Sequence, residues 1–455
     1  MKYFHLFCLL VFPCFQFLYA THNMSGEILV KKTGDKTVEA TIVTYTKESS
    51  IAADRDSLTI CWGDGSCDVI PRINGSGEPL GFDIKRNIYI STHAYLENNS
   101  YLISMTDPNR NGGILNINAP FSENVEFHIQ TFIKLSDQPL STPVLLELPV
   151  DIAIAGQPYI HVPNAYDENG DSISYQLVTP MDDIDSPVPN YLQVTEIGPG
   201  IMNNISIDAE TGEIIWDAPQ IAGLYVIAIS IKSWRNGVLV EEVIRDMQIS
   251  VTDGLDSPPD ISMSVGEGIV DVMVGDTVEV AISVEDIDLG QTFEITSTSG
   301  LYSFFQNPAT FSSNVNGNSG SAIFHWIVAN EHVRQQPYQV VFKAKDNWEM
   351  FGQANFKIAR FRVVSLTSAD GLAPAFEGSI FPNPVSRWLS IQSPQTSSDK
   401  LQLEIFDMAG KQLTSSGIHN GKTSRVDMAN LATGTYLVRI LDHGKCIRTE
   451  KIIKY

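Results

Sequence analysis

Alternation with a period of two residues most restricts what this chain can fold into. It runs through Thr37-Val38-Glu39-Ala40-Thr41-Ile42-Val43, Leu224-Tyr225-Val226-Ile227-Ala228-Ile229-Ser230-Ile231 and Thr277-Val278-Glu279-Val280-Ala281-Ile282-Ser283-Val284. Successive side chains of an extended strand point to opposite faces, so these runs read as strands. Their residues are β-branched or aromatic, and Gly, Pro, Asn or Asp clusters bound them. The chain has 23 prolines and 32 glycines as punctuation. Beyond the first residues no long segment carries a helical period. Strand signals spaced by about 8–12 residues predict an all-β chain of serial β-sandwiches. A hydrophobic content of 43% supplies their cores and excludes wholesale disorder.

At roughly 100–200 residues per domain, 455 residues imply three to four domains. An internal echo organises the middle. Ala155-Gly156-Gln157-Pro158 opens one unit and Val274-Gly275-Asp276-Thr277 opens another. Tyr166-Asp167-Glu168-Asn169-Gly170-Asp171 follows the first opening, and Glu285-Asp286-Ile287-Asp288-Leu289-Gly290-Gln291 follows the second at the same distance. Ile215-Trp216 and His325-Trp326 come later in each. Two tandem sandwiches, at 141–253 and 254–366, account for the echo, with a seam at Asp253-Gly254-Leu255-Asp256-Ser257-Pro258-Pro259-Asp260. A further β region spans 21–140, a linker 367–377, and a compact tail 378–455.

The N-terminus bears on the compartment. Lys2 gives a short positive start, Phe4 to Leu18 an apolar run, and Ala20 a small residue at a cleavage point. Residues 1–20 therefore read as a secretory signal peptide. The rival reading is an uncleaved membrane anchor, against which stand Pro13 and the polar Thr21-His22-Asn23. Neither Cys8 nor Cys14 follows the small-residue pattern of a lipoprotein. No other stretch approaches the ~18 apolar residues of a membrane helix. The formal net charge of −23 repels a phosphate backbone, which excludes generic nucleic-acid binding. It suits divalent cations instead.

Of five cysteines, only Cys61, Cys67 and Cys446 lie beyond the signal. A secreted chain this poor in cysteine stands on its cores. Cys61 and Cys67 bracket Trp62-Gly63-Asp64-Gly65-Ser66, turn chemistry that lets them face each other across a hairpin. They form either a local disulfide or two half-buried thiols.

The tail reads Ile380-Phe381-Pro382-Asn383-Pro384-Val385, then Leu403-Glu404-Ile405-Phe406-Asp407-Met408-Ala409-Gly410-Lys411, then Leu431-Ala432-Thr433-Gly434-Thr435-Tyr436, and ends Lys451-Ile452-Ile453-Lys454-Tyr455. This closely resembles the type A C-terminal sorting domain of the type IX secretion system of the Bacteroidota. The matching marks are the Pro382-Asn383-Pro384 opening, the turn at Gly410, the Gly434 and Tyr436 strand, and the basic Lys451 and Lys454. The resemblance implies an export signal read by the outer-membrane translocon. It also implies removal by the sorting protease, and anchoring of the mature protein to surface lipopolysaccharide. The bland alternative is one more Ig-like domain.

The N-terminal region, with Cys61-Trp62-Gly63-Asp64-Gly65 and Ile90-Ser91-Thr92-His93-Ala94-Tyr95, resembles PKD domains and gliding-motility-associated surface proteins. Its flanking spacing is longer than one PKD domain allows. The tandem units resemble cadherin-like or Ig-like repeats. Asp208-Ala209-Glu210-Thr211-Gly212 fits that pattern in the first, and the second lacks this turn.

Calcium is the leading cofactor reading. Asp167, Asn169 and Asp171 alternate as oxygen donors around a Gly turn, which suits a hard cation, and Glu168 adds a carboxylate. Asp286 and Asp288 repeat the arrangement, and Asp346 comes from a later strand. The twelve-residue loop of an EF-hand is missing. The plain alternative is that Asp, Asn and Gly are good turn formers. Trp234, Trp348 and Tyr302 sit near turns, where they either stack on sugars or close the ends of cores.

No enzyme signature emerges. Gly317-Asn318-Ser319-Gly320-Ser321 is not a nucleophile elbow, and no histidines pair at zinc spacing. Paired carboxylates of a glycosidase are invisible to sequence. The expectation is a non-catalytic surface protein for adhesion or structure, outside the cell or on the outer membrane. The alternatives are a surface polysaccharide-binding protein and an extracellular hydrolase. Its partners would be the translocon and sorting protease, with lipopolysaccharide, glycans or other surface proteins.

Overall fold

The computed structural model describes residues 23–364 and 378–455, apart from 51–53, 151, 199, 201, 289, 349–351, 394–400, 408–409, 420 and 443–444. The signal peptide expected at 1–20 and the linker expected at 367–377 lie outside the described residues. The chain divides into two compact units, Met1–Val363 and Val364–Tyr455. Strands and short 3-10 turns make up the described secondary structure, with no α-helix among the described residues.

The first unit is organised by the 15-residue strand Val238–Thr252. Along one edge it pairs with Gly223–Arg235. The other edge receives three strands in turn: Phe127–Lys134 at Glu241 to Val243, Asn23–Lys32 at Asp246 and Met247, and Ile152–Ile154 in parallel at Ser250 to Thr252. These pairings create one 14-stranded sheet. The boundary expected between 140 and 141 therefore falls inside a shared sheet, not between two independent sandwiches. The physical reason is register. Asn23–Lys32 bonds to a strand more than 200 positions away, and backbone pairing at that distance leaves no local mark.

Two cores flank the shared sheet. One gathers Trp62, Ile60, Ile103, Phe127 and Ile129 from the N-terminal strands. The other gathers Trp216, Tyr225, Ile227, Ile229 and Met247. Gly223–Arg235 is buried on both faces from Tyr225 to Ile231, because Val226 also packs against Ile114 and Ile117. Leu224 to Ile231 is thus a central strand, whose near-continuous apolar run matters more than its alternation.

Buried ion pairs cross the shared strand. Arg245 Nη2 and Nε donate to Glu27 at 2.8 and 3.1 Å, and Arg110 Nη2 and Nη1 donate to Asp246 at 2.7 and 2.9 Å. All four side chains are almost wholly enclosed.

The same unit contains a two-sheet sandwich. Asp260–Met263, Thr277–Glu285, Ser319–Ile327 and Thr310–Asn316 form one sheet; Ile269–Met273, Ala354–Val364, Tyr338–Asp346 and Phe293–Thr298 form the other. Thr277–Glu285 alternates strictly between exposed and buried. Val278, Val280, Ile282 and Val284 meet Phe324, Trp326, Phe342 and Phe361 in the core.

The second unit packs Ser379–Phe381, Trp388–Gln392 and Thr423–Asp427 against Gln412–Ile418, Leu401–Phe406, Gly434–Asp442 and Lys445–Lys454. Leu389, Ile391, Leu403, Ile405, Val438 and Ile440 fill its centre.

Candidate functional site

The tail motif has a structural basis. Asn383 Nδ2 donates to the Lys451 carbonyl at 2.8 Å, and its Oδ1 accepts from the Ile453 amide at 2.9 Å. Asn383, held between Pro382 and Pro384, thereby fixes the last strand. Gly410 closes its turn with φ 79° and donates to the Asp407 carbonyl. A side chain is disfavoured in that left-handed conformation. Tyr436, in the strand that begins at Gly434, is buried and bonds the Ala432 carbonyl at 2.7 Å. Lys451 is exposed, whereas Lys454 is 9% exposed and its ammonium reaches the Tyr455 carbonyl. The basic end is therefore carried outward by Lys451; Lys454 shares the inward face of Ile452.

Cys61 and Cys67 are disulfide-bonded as a cross-strand pair of one hairpin. The enclosed turn is pinned to the neighbouring strand. Trp62 stacks on His93 at 4.7 Å, and Asp64 meets His93 Nε2 at 2.7 Å. Burial pushes the Asp64 carboxyl up, but the bonds to Ser66 and His93 together outweigh it and hold the carboxyl low, at about 2.

Of the first predicted metal loop, Asp167 and Asp171 come together and Asn169 does not. Asp167 is fully buried; its Oδ1 accepts the Asn169 and Asp171 amides at 2.8 and 3.3 Å, and its Oδ2 accepts from Ser233 Oγ at 3.0 Å. Asp171 is engaged by Arg235 through Nε and Nη2 at 2.8 and 2.5 Å. Asn169 is exposed, and Glu168 pairs outward with Lys31 at 2.7 Å.

The third buried carboxylate is Glu241, which local sequence did not single out. Its ligand oxygen and those of Asp167 and Asp171 lie within 4.8 Å of one another. Neither Glu241 oxygen has a hydrogen-bond partner, and the one Ser233 hydroxyl proton is already given to Asp167. Burial, then the charges of Asp167 and Asp171, push the Glu241 carboxyl up from 4.5 to about 8. Between those values the folded state keeps a proton that the unfolded state releases, so stability falls as pH rises through that window. Glu241→Gln will remove this slope and stabilise the protein above neutrality by on the order of a few kcal/mol. Melting temperatures measured from pH 5 to 8 check it; parallel profiles for the two proteins would refute the assignment.

The second loop assembles differently. Asp286, Asp288 and Asp346 are joined by Asp256, from the seam, and by Gln291. Asp286 Oδ1 accepts the Asp288 amide at 2.8 Å; Asp346 Oδ1 accepts the Trp348 and Gln353 amides at 2.9 and 2.8 Å. Asp256 Oδ1 accepts from Gln291 Nε2 at 2.5 Å, and Asp288 Oδ2 accepts the Ser257 amide at 2.9 Å. Asp256, Asp286 and Asp346 are at most 5% exposed. Yet the second oxygen of each has no partner, and neither does Gln291 Oε1. Burial raises all three carboxyls; Asp256 reaches about 7, with Asp346 and Asp288 adding repulsion. Among the described residues none of these four aspartates makes an ion pair. The two loops thus share turn geometry but differ in charge balance: among the described residues only the first is paired with an arginine.

The aromatic residues expected near turns are half-buried. Trp234 donates to Ser174 Oγ at 2.8 Å and Tyr302 to Ser297 Oγ at 2.7 Å. Trp348 lies so close to Gly254 that a Cβ there would come within 2.6 Å of its ring.

Residues 379–455 match the family model described as the secretion system C-terminal sorting domain. The chain is accordingly a type IX sorting protein, which engages that machinery and is exported to the cell surface or the extracellular space. No curated protein matches the chain. Among solved structures, it is similar to the N-terminal four Ig domains of Dscam1 isoform 6.44, at 8% identity and TM-score 0.20, covering 94% of this chain and 99% of that one. The human desmocollin-1 ectodomain matches at 13% identity and TM-score 0.17, covering 93% and 77%. Fibronectin(III)-like modules of Clostridium thermocellum CbhA match at 10% identity and TM-score 0.15, covering 48% and 93%.

Proposed function

We propose that this protein is a non-catalytic component of the bacterial surface, serving adhesion or structure. The observation that carries the reading is a sorting domain at 379–455 attached to a body in which one 14-stranded sheet joins successive β regions. Polar groups in that body are spent on holding sheets together. Arg110, Arg245 and Arg235 are each committed to a buried carboxylate.

Calcium belongs to the same reading, at the second acidic group. Three buried carboxylate oxygens and one amide oxygen lack partners, and a hard cation that takes 6–8 oxygen ligands suits them. Asp256, Asp286, Asp346 and Gln291 would hold the ion, with Asp288 at its side. Bound there, it would tie the seam to the turn at Asp286 and to the end of the strand Tyr338–Asp346. The first group receives no ion in this reading, because Arg235 and a proton on Glu241 already balance it.

The test is made in a host carrying the type IX machinery, with the full chain and with a form lacking 378–455. The full chain should reach the surface, lose its tail and increase attachment of the cells to a solid or cellular support; the shortened form should stay in the periplasm. Unchanged export of the shortened form would remove the basis for surface display. Binding to a glycan array would favour polysaccharide capture over adhesion, and hydrolysis of polysaccharide or peptide would replace both with an enzyme.

A further inference from the structure

A cavity of about 560 Å³ lies in the first unit and shares no lining residue with either acidic group. That volume is in the range of small-molecule sites, roughly 300–1,000 Å³. Its apolar wall includes Met24, Leu80, Phe82, Leu148, Val150 and Leu224. Phe82 and Leu148 are 44% and 36% exposed, so the cavity reaches solvent beside them. Phe82 has φ 56°, a left-handed conformation uncommon for a bulky residue. The turn thus accepts backbone strain while placing an aromatic ring on the cavity wall.

The polar lining is unequal. Asp83 accepts both the amide and the hydroxyl of Ser49 at 2.6 Å. Glu147 accepts from Thr298 at 2.6 Å and faces Lys343 at 3.7 Å. Glu294 stands opposite Lys345 in the strand register. Asp83 and Glu147 are therefore engaged by protein donors, while Glu294 makes no ion pair among the described residues. Lys47 also lines the cavity and forms no ion pair among the described residues. Gln248, 4% exposed, accepts from Asn111 Nδ2 at 2.7 Å, which leaves its own Nε2 as a donor with no acceptor. A buried donor without a partner destabilises the fold unless something accepts from it.

We infer that this cavity binds a small apolar molecule ending in a carboxylate. The apolar wall takes the hydrocarbon body, Gln248 Nε2 donates to the head group, and Lys47 supplies the opposite charge. This site is independent of the calcium reading and of the protein's role at the surface.

Calorimetry on the full mature chain tests it with decanoate, decanol and decyltrimethylammonium. Decanoate should bind at least tenfold more tightly than the cationic amphiphile. Leu148→Trp, at the solvent-exposed edge, should weaken decanoate at least tenfold by filling the space. Gln248→Leu should erase the preference for decanoate over decanol. If that buried change prevents folding, Lys47→Gln tests the same preference from a more accessible position. Absence of decanoate binding overturns the inference. So does equal binding of all three probes, or decanoate binding that Leu148→Trp leaves unchanged.

Discussion

Replacing Arg110 by methionine will destabilise the first unit by about 3–5 kcal/mol, the usual cost of stranding one partner of a buried ion pair. Arg110 and Asp246 are each 1% exposed. Losing the guanidinium strands the Asp246 carboxylate, whose carboxyl burial already pushes upward. It also strands the carbonyls of Glu126 and Met181, each now bonded at 3.0 Å. The exposed pair of Arg362 with Asp271 is the control: Arg362→Met should cost at most about 1 kcal/mol, because water screens that pair. The double change Arg110→Met with Asp246→Leu should recover much of the loss, since it removes the stranded charge. Urea unfolding followed by tryptophan fluorescence measures all three. Equal effects of Arg110→Met and Arg362→Met would show that the shared strand does not depend on its buried pair.

Calcium added to the metal-free protein will raise its melting temperature by on the order of 5–10 °C once calcium exceeds its dissociation constant about a hundredfold. The effect follows from binding to the folded state alone. Asp346 comes near Asp256 and Asp286 only after the seam, a turn and a strand end have met, so the unfolded chain offers no such site. Asp346→Asn should abolish the calcium response. In the calcium-free protein the same change should be neutral or stabilising, because it removes one of several mutually repelling carboxylates. Asn169→Ala should leave the response intact, since that side chain is exposed. A melting curve unmoved by millimolar calcium would refute the site. A response lost on changing Asp171 and kept on changing Asp346 would move it to the first group.

Local chemistry made much of the architecture legible. Alternation at Thr277 to Val284 marked a strand whose valines and isoleucine do enter a core. The Pro382-Asn383-Pro384 and Gly434-Thr435-Tyr436 motifs marked the tail, because each side chain acts on backbone close to its own turn or on one fixed partner strand. The acidic turns were legible as turns for the same reason: Asp167 and Asp286 both accept an amide two residues on.

What completes each acidic group came from elsewhere in the chain. Glu241 lies in a long strand where it reads as an ordinary polar position, and Asp256 lies in a seam that reads as linker. Arg235 neutralises one group and, among the described residues, no cation pairs with the other, which no spacing within either turn could reveal.

The sequence by itself determined the strands, their turns and the export tail, all properties of neighbouring residues and their φ/ψ preferences. Only the tertiary structure decided that Val238–Thr252 pairs with strands of both β regions, that Arg110 meets Asp246, and which carboxylates share a buried space. Those outcomes depend on register between distant strands, and on the cost of enclosing charge once the strands have paired.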